Sequence, residues 1–228
     1  MITLVLFDID GTLVLTGGAG LRAMALAFEE LFGVPDAFRG MQMAGRTDAW
    51  ILSDAVAMHG IPQDSSLIAR FPDVYVRHLA VEIEKPHPRK LVMPGIPALL
   101  DALSRRADVY LALATGNFET AARLKLEHFD LWRYFPCGAF GDAAPSRNGL
   151  VPKAIARIAA QGGPVFTAAD AVVIGDTPLD VACAHAVGAR AIGVATGPHG
   201  ADELRQAGAH EVFADLSDTQ RVIEAIRS

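Results

Sequence analysis

The chain has 228 residues, 51% of them hydrophobic, enough to bury a substantial core in one large domain or in a core with a smaller companion. Its formal net charge of −6 and pI of about 5.6 exclude a broad surface for nucleic acid or an anionic membrane. An anionic ligand must therefore be drawn in by local groups or by a metal.

Two cysteines, Cys137 and Cys183, stand in apolar settings without metal-type spacing, which fits buried free thiols and a reducing compartment. The apolar start lacks a basic leader region and runs straight into acids, and no later segment has the apolar length to span a bilayer. The expectation is a soluble cytoplasmic protein.

The first strand-like run, residues 2–7, ends in Asp8-Ile9-Asp10-Gly11-Thr12. Side chains alternate along a strand, so Asp8 and Asp10 start on the same side with Ile9 turned away. Gly11 lets the backbone bend just beyond them. Two carboxylates at the C-terminal end of a buried strand make a cleft for a cation and an anion.

Residues 15–92 then show helical patterns at 20–32, 47–59 and 65–84, broken at Gly33-Val34-Pro35 and Gly60-Ile61-Pro62, with no buried strand standing out. This reads as a helical domain inserted after the first strand, the chain returning at Met93-Pro94-Gly95. Two crossings between domains allow the insert to hinge as a lid. The run Gly17-Gly18-Ala19-Gly20 marks a hinge or a close-packed passage into it. Within the insert, Gly45-Arg46-Thr47-Asp48 has two readings: Arg46 meets a substrate carboxylate or hydroxyl, or Thr47 or Asp48 caps the next helix and Arg46 is solvated.

From residue 93 onward, strand-like runs at 109–114, 171–174 and 189–194, and a weaker one at 137–140, alternate with helical patterns at 96–106, 119–128, 153–161 and 178–187. Such alternation indicates a parallel sheet covered on both faces, with ligands bound beyond the strands' carboxyl ends. After 109–114 comes Thr115-Gly116-Asn117: a hydroxyl, an unhindered backbone and an amide at a helix N-terminus suit phosphate oxygens, although Thr and Asn are also ordinary caps. After 171–174 comes Gly175-Asp176-Thr177-Pro178-Leu179-Asp180. Asp8 and Asp176 at neighbouring strand ends would form an oxygen-rich site suited to Mg²⁺.

In this order, the segments Phe7 to Thr12, Thr115 to Asn117 and Gly175 to Asp180 resemble the first, second and fourth motifs of the haloacid dehalogenase superfamily of phosphohydrolases. The insert resembles that family's helical cap, and phosphoglycolate-type phosphatases are nearest in general appearance. The resemblance implies an α/β fold: a Rossmann-like parallel sheet flanked by helices, residues 1–14 and 93–228 forming the catalytic core and 15–92 the cap. It implies that Asp8 attacks phosphorus and that Asp10 protonates the leaving oxygen and then activates water. It also implies Mg²⁺ held by the Asp8 and Asp176 carboxylates and the Asp10 carbonyl, with Asp180 as a further contact, and a phosphoryl group held by Thr115, Gly116, Asn117 and Arg147.

The third motif departs from the family's usual Lys. The stretch Asp142-Ala143-Ala144-Pro145-Ser146-Arg147 places Arg147 in the loop before a helix, while the alternative, Lys153, falls inside that helix. A planar guanidinium matches phosphate geometry. The expected activity is Mg²⁺-dependent hydrolysis of a small phosphate monoester, phosphoglycolate-like or a sugar phosphate, that ester being the only partner implied. A sugar-phosphate mutase could share all four motifs, and a non-catalytic binding protein is the third reading. The presence of both Asp8 and Asp10 argues against the latter, and Asp10 argues against a dehalogenase.

Overall fold

Strand β1 (Thr3–Phe7) is a continuous apolar run whose alternate residues serve two cores, Val5 and Phe7 on one face, Leu4 and Leu6 on the other. Each fully buried Leu or Phe contributes about 1.5–3 kcal/mol, which offsets the cost of placing carboxylates at the strand's end. The computed structural model describes residues 2–142 and 146–228. Part of the third-motif loop, Ala143-Ala144-Pro145, lies outside the described residues.

After β1 come β2 (Val14–Thr16), α1 (Ala19–Phe32), α2 (Asp48–Met58), α3 (Ser66–Glu82) and β3 (Lys90–Val92). The three helices form the cap; in their core Phe28 of α1 meets Phe71 of α3 and Phe38, Phe71 stacks on Tyr75, and Phe118 and Ala121 from the catalytic part join the same cluster. The strands β2 and β3 pair antiparallel, Val14 opposite Val92, so the chain leaves for the cap and returns as one ribbon. No strand was expected here, because three residues are too few to show a period of two. At this ribbon Gly17 has a φ of +63°, and a Cβ on it would lie 2.6 Å from the His87 ring, so the glycine-rich run is a close-packed passage.

The rest of the chain supplies α4 (Ile96–Ser104), β4 (Val109–Ala114), α5 (Glu119–His128), β5 (Gly138–Ala139), α6 (Leu150–Ala160), β6 (Ala171–Gly175), α7 (Pro178–His185), β7 (Arg190–Val194), α8 (Ala201–Gln206), β8 (Glu211–Phe213) and α9 (Thr219–Arg227). One parallel sheet of order β5-β4-β1-β6-β7-β8 results. Leucines of α4, with α5 and α9, cover one face, and α6 and α7 cover the other.

Central β1 runs between β4 and β6 with Phe7 level with both Leu113 and Ile174. The three strands therefore end together, and the loops after them open onto one edge of the sheet. Among the described residues no helix is long and apolar enough to cross a membrane.

Candidate active site

Three buried carboxylates meet at that edge. Oxygens of Asp8, Asp176 and Asp180 all lie within 4.8 Å of one another. Asp8 follows β1 directly, Asp176 follows β6, and Asp180 sits in the first turn of α7. Pro178 starts that helix, and Thr177 caps it with the Asp180 backbone N–H donating to its hydroxyl. In return the Thr177 N–H and hydroxyl donate to Asp180 Oδ2, at 3.0 and 2.7 Å.

One guanidinium serves this cluster. Arg147, 4% exposed, pairs with Asp180 Oδ1 and lies 3.2 Å from Asp8 Oδ1. Burial disfavours its charge, but Asp180 and Asp8 outweigh that and hold it protonated. Lys153, the other basic residue considered for the third motif, is exposed on α6. The Cys183 thiol, pushed up to about 11 chiefly by burial, donates to the Arg147 carbonyl at 2.9 Å and tethers its loop.

A single Arg leaves the acids under-compensated. Burial, then Asp180 and Asp8, push the Asp176 carboxyl well above its usual range. Burial pushes Asp180 up to about 6 against the pull of Arg147. Asp8 Oδ1 is buried without an aligned hydrogen bond, despite the nearby guanidinium. Gly11 and Gly197 crowd Asp176 so closely that a Cβ on either would lie 2.4 or 1.7 Å from its Oδ2. Thr12 donates to Asp176 Oδ1 at 3.0 Å, and Thr196 donates to the Gly11 carbonyl at 2.6 Å. Hard oxygen donors, excess negative charge and an orphaned oxygen fit a divalent cation such as Mg²⁺. Asp180 differs from its neighbours, because both of its oxygens are already engaged, by Arg147 and Thr177.

A cavity of about 540 Å³ opens above the acids, walled by Asp8, Asp10, Asn117, Arg147 and Asp176 from the core and by Met24, Arg46, Asp48, Ile51 and Tyr75 from the cap. The Asp10 side chain is 42% exposed. Gly116 and Asn117 line the cavity, and Thr115, fully buried, stands next to them in the chain. The Thr115 hydroxyl accepts from the Asn117 side chain at 2.8 Å and its backbone N–H at 3.4 Å, which leaves its own proton to donate.

The cap loop is seated on the core. The Gly45 carbonyl accepts from Arg147 Nη1 at 3.2 Å, and the Gly116 carbonyl accepts from the Asp48 N–H at 2.7 Å. A Cβ on Gly116 would lie 2.2 Å from the Arg46 carbonyl oxygen, which explains a glycine there. Thr47 caps α2, accepting from the Trp50 N–H at 3.1 Å. Arg46 lines the cavity, but its Nη1 donates to Asp54 at 2.7 Å and its guanidinium lies 4.5 Å over the Trp50 ring.

Two further side chains belong to this wall: Asp48, considered from the sequence only as a helix cap, and Lys125, which was not singled out. Asp48 Oδ2 accepts from the Phe118 N–H at 2.8 Å, and burial above all pushes its carboxyl up to about 7. Lys125 of α5 is buried and reaches Asp10. Its only sequence signal is its place on the apolar stripe Ala121, Ala122, Lys125, Leu126.

Known proteins share this architecture. The family profile of haloacid dehalogenase-like hydrolases matches residues 5–185. "Probable phosphatase IndB" of Dickeya dadantii is 29% identical over 98% of this chain and 94% of its own length. A phosphoglycolate phosphatase of Rhodospirillum rubrum is 30% identical over 93% of this chain and 87% of its own. The crystal structure of CbbY from Rhodobacter sphaeroides in complex with phosphate shares the fold, with a TM-score of 0.68 at 22% identity over 96% of each chain.

Proposed function

The chain belongs to the haloacid dehalogenase-like hydrolases and is an enzyme of phosphatase type, and from that premise we propose that it hydrolyses a small phosphate monoester through an aspartyl-phosphate on Asp8. The observation that carries this reading is the buried Asp8 carboxylate at the cavity floor, 3.2 Å from Arg147 and beside Asp176, with Asp10 in the wall above.

In the first step an Asp8 oxygen bonds to phosphorus as the bond to the alcohol oxygen breaks, and Asp10 gives that alkoxide its proton. In the second, water attacks the same phosphorus and yields its proton to Asp10. The bond to Asp8 breaks, restoring the carboxylate and releasing phosphate. Through both steps the Arg147 guanidinium, the Thr115 hydroxyl and the Gly116–Asn117 segment hold the remaining phosphoryl oxygens.

The Asp8 and Asp176 carboxylates and the Asp10 backbone carbonyl would hold Mg²⁺, with Asp180 acting mainly to hold Arg147. When bound, the cation supplies charge neutralisation between the acids and an anionic ester. Arg46 would meet a carboxylate or hydroxyl of the substrate by exchanging Asp54 for it. Phosphoglycolate and sugar phosphates are the esters of choice, the former supported by the similarity to a phosphoglycolate phosphatase.

The test is phosphate release from a panel of such esters with and without Mg²⁺, in wild type, Asp8→Asn and Asp10→Asn. The reading expects Mg²⁺-dependent turnover, abolished by Asp8→Asn and reduced about 10²–10⁴-fold by Asp10→Asn. Isomerised sugar phosphate without net phosphate release would replace it with a mutase.

A further inference from the structure

Lys125 is given no part in the steps above, yet it is among the most constrained side chains in the site. It is 4% exposed, and burying an ammonium is costly unless every proton finds a partner. Its three protons meet three acceptors: Asp10 Oδ1 at 2.9 Å, Asp10 Oδ2 at 2.7 Å and Asn117 Oδ1 at 2.6 Å. Asn117 closes the ring, its Nδ2 donating to Asp10 Oδ2 and to the Thr115 hydroxyl, both at 2.8 Å. Turning the Asp10 carboxylate or flipping the Asn117 amide breaks at least one of these contacts. The cap presses on the same point, since a Cβ on Gly20 would lie 3.4 Å from the Lys125 ammonium and 3.5 Å from the Tyr75 hydroxyl.

We propose that Lys125 is a positioning residue that locks Asp10 and Asn117 into one arrangement, so that the proton-transfer carboxylate and the Gly116–Asn117 segment that meets the phosphate are set as a unit. This rests on Asp10 being the acid and base of the reaction. A merely structural lysine would affect stability alone, and a substrate anchor would affect KM. A positioning lysine acts on kcat, with most of its effect passing through Asp10.

The experiment measures kcat, KM and thermal stability for Lys125→Met, Lys125→Arg, Asp10→Asn and the double variant Lys125→Met/Asp10→Asn. The probes are phosphoglycolate and p-nitrophenyl phosphate in saturating Mg²⁺. Lys125→Met is expected to lower kcat about a hundredfold with KM within about threefold. The double variant should be no more than about threefold slower than Asp10→Asn alone, since only the hold on Asn117 is then left to lose. Lys125→Arg, which keeps the charge but not the compact three-way geometry, should fall between wild type and Lys125→Met. It also carries the test if the Met variant does not fold.

Additive losses in the double variant overturn the proposal. So does a rise in KM with kcat unchanged, or a Lys125→Arg enzyme equal to wild type. If Asp10→Asn itself keeps full kcat, the acid–base reading falls and this proposal falls with it. If Asp10→Asn is impaired but uncoupled from Lys125, only the proposal falls.

Discussion

Replacing Arg147 with Met keeps a stem of similar shape and removes the cation that the buried acids share. Asp180 then loses the partner of its Oδ1, and Asp8 loses the guanidinium 3.2 Å away. Removing one member of a buried ion pair costs about 3–5 kcal/mol, because the remaining charge is left without compensation. For a domain of this size that corresponds to a fall in Tm of roughly 6–20 °C near neutral pH without Mg²⁺.

The deficit should depend on pH in a defined direction. Asp180 is pushed up to about 6 even with Arg147 present, so without the Arg it takes up a proton more readily still. As pH falls from about 8 to 5 the acids neutralise themselves and the gap between variant and wild type should narrow. Thermal unfolding followed by circular dichroism across that range measures it. A loss below about 1 kcal/mol at neutral pH, or a gap that does not change with pH, would refute the view that Arg147 holds the cluster together.

Asp48→Asn probes the cap in the same terms. Its folded-state value is raised from 3.8 to about 7, mainly by burial, so the folded protein binds this proton more tightly than the unfolded chain. The resulting stability is present in full below about 3.8 and is lost as pH climbs through about 7. An Asn can still accept from the Phe118 N–H, so denaturant unfolding should show a flatter stability curve between those limits and a variant more stable than wild type above them. Gly197→Ala would force a methyl against Asp176 Oδ2, a 1.7 Å approach, and should cost at least about tenfold in Mg²⁺ affinity by calorimetric titration. Adding Mg²⁺ at about a hundred times its Kd should stabilise the wild type by about 2.7 kcal/mol, and should do so far less for Asp176→Ala, as read by thermal shift with chelator as the control.

Much of the fold was legible because the central strands are buried on both faces and read as uninterrupted apolar runs. The segments 2–7, 109–114, 171–174 and 189–194 correspond to β1, β4, β6 and β7 within a residue. Strand β8 escaped because Glu211–Phe213 is three residues with only Phe213 buried, and the ribbon strands β2 and β3 are equally short. The acids at the strand ends were visible because a carboxylate after an apolar run conflicts with the local pattern. Lys125 was not, since a lysine on a helix is usually solvated, and only the approach of α5 to the β1 loop gives it partners. Asp48 likewise acquires its place from cap-to-core packing, a contact between segments 68–70 residues apart that no local pattern encodes.

The covalent step on Asp8 can be trapped. The enzyme is mixed with Mg²⁺ and its best ester, quenched in acid within the first turnovers, reduced with borohydride and mapped by peptide mass spectrometry. Residue 8 should convert to homoserine, dependent on ester and absent from Asp8→Asn. An actively turning-over enzyme with residue 8 unmodified at every quench time, and with Asp8→Asn still releasing phosphate, would contradict that step.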